Sequence, residues 1–106
     1  MQNPRGITLD TANRIYIADT DNHRVVRIET MAGAGWTECG TFGAGLHQFN
    51  SPSEVKIGSD LRIYICDWLN SRVVRMDNMS GSGWTTFGTP GPGVNEFNQP
   101  FGLHVF

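Results

Sequence analysis

The chain has 106 residues, one domain's worth, with 39% hydrophobic and 17% charged residues and a net charge of −2. This balance offers no basic footprint for nucleic acid or an anionic membrane. No apolar run approaches the ~18 residues of a membrane span.

The predicted elements are short strands. The first covers 6–10, where apolar Ile7 and Leu9 alternate around Thr8. The second covers 14–19, the third 24–28 and the fourth 36–42, all rich in the Ile, Val, Tyr and Trp that suit a pleated surface. The stretch 43–51 holds Gly43 and Gly45 and reads as a loop. No segment keeps a helical i, i+3, i+4 period over useful length. The series then starts again, at 54–58, 62–67, 72–76 and 84–89, and a third copy of the first strand is expected at 102–106. The shift is 48 residues, and between 4–51 and 52–99 the residues are identical at 22 of 48 positions. Arg14-Ile15-Tyr16-Ile17 returns as Arg62-Ile63-Tyr64-Ile65, and Arg24-Val25-Val26-Arg27 as Arg72-Val73-Val74-Arg75.

A fixed period of this length means a stacked or ring-shaped array. Four strands of four to seven residues per period describe a propeller blade, first strand innermost and fourth outermost. The expected fold is all-β: two four-stranded antiparallel blades plus the first strand of a third, completing a ring by homo-oligomerisation. The units are 4–51 and 52–99, with a partial third at 100–106, all within one partial propeller domain, 1–106. A solenoid or a single β-sandwich built from both units is the alternative.

The run Pro-x-Gly-Ile-x-Leu-Asp from Pro4, followed by Arg-Ile-Tyr-Ile-Ala-Asp-Thr-x-Asn-His-Arg-Val-Val-Arg-Ile from Arg14, resembles the NHL repeat. The resemblance implies a β-propeller, most often of six blades. Members of that family serve in protein binding, in RNA binding, and in a few metal-dependent lyases. The net charge of −2 does not support the RNA-binding branch. The three histidines, His23, His47 and His104, fall at unrelated repeat positions, which does not support the metal-dependent one. The second unit departs from the pattern, with Glu54 for Gly6 and Asp67-Trp68-Leu69-Asn70 for Asp19-Thr20-Asp21-Asn22.

Asp19, Asn22 and Arg24 recur as Asp67, Asn70 and Arg72 in the turn between second and third strands. A carboxylate and an amide can bond turn backbone, and the Arg fork can hold the Asp. Recurrence in both units assigns these six residues a structural role. No catalytic residue, metal ligand or cofactor is expected; the turn lacks the Gly and distant Glu of a calcium loop, and no nucleophile-elbow, phosphate-loop or zinc-helix motif occurs. The binding candidates are Trp68 and Leu69, which replace Thr20 and Asp21 in a surface turn, together with Asp21 and His23. Trp36 and Trp84 recur at the outer strand and read as blade packing. Thr8, Lys56 and His104 share one register of the innermost strand, as polar lining or as a ligand channel. Cys39 and Cys66 stand opposite Phe87 and Ala18, positions for small buried hydrophobes, with a disulfide as the alternative. No localisation is assigned.

Two blades leave two apolar faces open. The expected partner is therefore the chain itself: a homotrimer of six blades, with a dimer or tetramer as other closures. The expected function is an interaction scaffold that presents its turns to a protein. A small-ligand or glycan binder between blades and a metal-dependent lyase or hydrolase are the alternatives.

Overall fold

The computed structural model describes residues 3–90, 96 and 97. Strands β1 (Pro4–Leu9), β2 (Ile15–Asp19), β3 (Arg24–Ile28) and β4 (Thr37–Cys39) form one antiparallel sheet in that order. After β5 (Thr41–Phe42) and β6 (Gln48–Phe49), which pair in parallel, a second sheet repeats the first. It consists of β7 (Pro52–Ile57), β8 (Ile63–Asp67), β9 (Arg72–Met76) and β10 (Thr85–Phe87). The parallel pair returns as β11 (Thr89–Pro90) and β12 (Glu96–Phe97). The protein is all-β, with two four-stranded antiparallel sheets.

Registers coincide across the units. Ile17 lies between Ile7 and Val26, and Ile65 between Val55 and Val74. Because side chains alternate along a strand, each sheet has two apolar faces. One face of the first sheet, with Tyr16, Ala18, Val25 and Cys39, packs on Val55, Ile63, Ile65, Val74 and Met76 of the second. The opposite face of the first sheet gathers Ile15, Ile17, Val26 and Ile28, beside Ile7 and Leu9, which are 59% and 55% exposed. Gly6 makes the approach of β1 to β7 possible: a Cβ there would stand 2.7 Å from the Glu54 Cα.

The expected fourth strand, 36–42, is two strands rather than one. Gly40 interrupts it at φ +119°, where any Cβ would strike the Phe49 ring at 2.6 Å. Gly88, at φ +111°, makes the same break in the second unit. The first strand starts two residues earlier than expected, at Pro4 and Pro52, through an irregularity in the register with β2 and β8. The expected loop 43–51 contains β6, whose Phe49 is fully buried. The third copy of the first strand, 102–106, and His104 lie outside the described residues.

Candidate functional site

Each second strand ends in a carboxylate that the following 3₁₀ turn folds around. Asp19 Oδ2 accepts from Arg24 Nε at 2.7 Å and from Asn22 Nδ2 at 3.1 Å. Asp67 Oδ2 accepts from Arg72 Nε at 2.7 Å and from Asn70 Nδ2 at 2.9 Å. Both carboxylates are fully buried, so each ion pair also satisfies a group that could not stand alone in the interior. The turns close on His23 and Ser71 at φ 55° and 52°.

The second turn also reaches across to the first unit. Arg72 Nη1 donates to the Ala44 carbonyl and Nη2 to that of Gln48, both at 2.8 Å, with Gly45 O at 3.4 Å. Asn70 Nδ2 donates to Gly43 O at 2.8 Å, and Asp67 Oδ1 accepts from Asn50 N–H at 2.8 Å. Trp84 completes the grip, with the rings of His47 and Phe49 each centred 5.3 Å from its own and Arg72 5.9 Å above it. His47 Nε2 lies 3.0 Å from Gly81 O. The trio that the sequence assigns to its own turn thus forms an inter-unit clasp around the loop 43–50. The signal was present in the sequence, since Gly43, Gly45, Phe49 and Asn50 recur as Gly91, Gly93, Phe97 and Asn98.

In the first unit Arg24 Nη1 instead donates to Glu38 Oε2 at 2.6 Å, which also accepts from Trp36 Nε1 at 3.1 Å. Trp36 is 47% exposed, so it does not have the packing the sequence expectation gave it. The joint between units is further tied by Thr20 Oγ1 donating to Pro52 O at 2.8 Å and by Ser51 N–H donating to His23 Nδ1 at 3.0 Å.

Of the binding candidates, Leu69 is exposed and Trp68 half-buried, with Arg5 5.5 Å above its ring. Both sit in the second 3₁₀ turn. Asp21 and His23 belong to the first turn. Asp21 is exposed and accepts from Asn3 Nδ2, whereas the His23 ring packs tilted against Phe42, 4.8 Å between centroids, and serves the joint. Thr8 and Lys56 are half-buried.

Two carboxylate–tyrosine clusters escaped the sequence reading. Tyr16 Oη donates to Asp10 Oδ2 at 2.9 Å, and Tyr64 Oη to Asp60 Oδ2 at 2.6 Å. Burial pulls the Asp10 carboxyl up, but hydrogen bonds from Arg14, Tyr16 and Ala12 together hold it below its ordinary value. Burial raises the Tyr16 hydroxyl first, and the bond to Asp10 adds to it. The two cysteines are free and buried, and burial, with the Glu54 charge behind it, pushes the Cys66 thiol up to about 11. Among the described residues no three His, Cys, Asp or Glu side chains gather as metal ligands.

An NHL repeat family model matches residues 1–28. The first 28 residues are thus similar to the NHL repeat. No curated protein matches it. The NHL match ends with β3, and the 48-residue period carries the same strand registers into the second unit. The NHL repeat suggests a β-propeller protein-interaction module.

Proposed function

We propose that this chain is an NHL-repeat protein and a self-assembling propeller module, a homotrimer of six blades, that acts as an interaction scaffold. The observation that carries the reading is the equivalence of its open and covered faces. The open face of the first blade, with exposed Ile7 and Leu9 over buried Ile17 and Val26, occupies the registers of Val55, Ile57, Ile65 and Val74. The latter set faces the first blade in the folded chain, with Ile57 at its margin. The outward face of the second blade, with half-buried Tyr64 and Val73, buried Cys66 and exposed Phe87, occupies the registers of covered Tyr16, Ala18, Val25 and Cys39. A second copy docked head to tail repeats the contact already made within the chain, and such a heterologous contact closes into a ring.

The residues that differ between units fit this joint. Within the chain, glycine at position 6 leaves room for the Glu54 backbone and carboxylate. Between copies, Glu54 of one chain meets the register of Gly6 and Arg5 of the next, pairing a large side chain with an absent one and an acid with a base. The six-blade count follows the NHL family's usual ring. Trp68 and Leu69, exposed in part on the turn side, are the residues the scaffold offers to a protein partner.

Light scattering coupled to size exclusion tests the reading. It should give three times the 11.7 kDa chain mass at micromolar concentration. A folded monomer would contradict it, and a dimer or tetramer would replace the blade count.

A further inference from the structure

Two copies of one clasp exist in this chain, and only the second grips a loop among the described residues. Position by position, the first clasp is the second with its contents removed. Met79 is 5% exposed, whereas its counterpart Met31 is 84% exposed. A Cβ on Gly81 would meet the His47 ring at 2.6 Å, whereas one on Gly33 meets nothing within 4 Å. Trp84 is packed between His47, Phe49 and Arg72, whereas Trp36 keeps its Arg24 stack at 5.4 Å and is 47% exposed. Arg72 spends its fork on three carbonyls, whereas Arg24 turns its Nη1 to Glu38. The position of Glu38 holds neutral Thr86 in the second unit, which offers the guanidinium no carboxylate.

We infer that Arg24, Asn22, Trp36, Met31 and Gly33 form a receptor for a glycine-rich loop of a second copy of this chain, with Glu38 holding Arg24 until that loop arrives. The inference deepens the assembly reading above and rests on it. The occupant is the segment that repeats 43–50. The strand pair at its ends matches the first unit's: β11 and β12 pair in parallel at Thr89 with Glu96 and Pro90 with Phe97, as β5 and β6 pair at Thr41 with Gln48 and Phe42 with Phe49. In the sequence, Gly91, Gly93 and Phe97 occupy the repeat positions of Gly43, Gly45 and Phe49. Recognition is therefore of main-chain carbonyls by an Arg fork and of an aromatic ring by a tryptophan and a methionine. The Arg24–Glu38 ion pair must open first, which makes Glu38 a competitor for the site rather than a part of it.

Two variants and one peptide test this. Glu38→Thr copies the second unit at an exposed position and should tighten association by about 1.5- to 5-fold, the worth of a surface ion pair. Arg24→Lys keeps a cation beside Asp19 but loses the fork, and should weaken association by about tenfold or more. Both constants come from sedimentation equilibrium over a dilution series. If the protein assembles and neither constant moves, the clasp inference is overturned while the assembly reading stands. If the parent stays monomeric at every concentration, the assembly reading fails. A synthetic peptide of residues 89–99 then reads the clasp alone through Trp36 fluorescence, with Trp36→Phe as control. A blue shift that Arg24→Lys abolishes upholds loop recognition, and no shift up to millimolar peptide overturns it.

Discussion

Asp67 and Arg72 show how one side chain serves both a turn and a joint. Replacing Arg72 with Ala leaves a buried carboxylate uncompensated and frees the carbonyls of Ala44 and Gln48, so it should cost about 3–5 kcal/mol. Arg24→Ala should cost less by about 1–2 kcal/mol in the unassembled chain, because Arg24 gives its Nη1 only to an exposed Glu38. Urea unfolding of the two variants at equal, dilute protein measures the gap; equal losses would show that the loop contacts contribute nothing. Phe49→Ala removes a fully buried ring against Trp84 and should cost about 3–5 kcal/mol. Asp10 gives a pH dependence of known sign. Its carboxyl is held below the ordinary 3.8, so its contribution is present above that value and is lost as pH falls through the folded value. Asp10→Asn should therefore be less stable than the parent by about 1–3 kcal/mol at pH 7, with the gap closing as acid protonates the folded carboxyl. A gap that persists at low pH would assign the loss to packing instead. Cys66, pushed to about 11 by burial, should resist a thiol reagent at pH 8 until the chain unfolds.

At the scale of elements, the inner strands meet through Gly6. Gly6→Ala places a methyl 2.7 Å from the Glu54 Cα and should destabilise by about 1–3 kcal/mol, since backbone and not a flexible tip must move. Thermal unfolding at fixed concentration checks it, and an unchanged melting temperature would mean that β1 and β7 can part freely. The repeat made the four antiparallel strands of each unit legible, because registers 48 residues apart must pack alike. What it hid were contacts that cross the period. Phe49 and the carbonyls of Ala44 and Gln48 lie in a stretch that reads as loop, yet they belong to the second unit's clasp. The carboxylates that anchor Tyr16 and Tyr64 were hidden for another reason: Asp10 and Asp60 stand at different repeat positions and reach the same ring position. Aligned residues do not reveal such substitutions, because the bond is kept while its accepting carboxylate moves along the chain. The split of the outer strand at Gly40 likewise depends on the ring it faces, Phe49, and not on local propensity.

For the whole molecule, the central claim is that the open face of the first blade receives the second blade of another copy. Leu9 lies on that face and is 55% exposed in the single chain, so a charge there costs the lone fold little and an assembled joint a great deal. The measurement that tests this most directly is the native mass of the parent beside Leu9→Glu by sedimentation equilibrium, with circular dichroism to establish that both are folded. The account predicts three chain masses for the parent and one for a folded Leu9→Glu. A folded parent of one chain mass, or a variant that keeps the parent's mass, would contradict it.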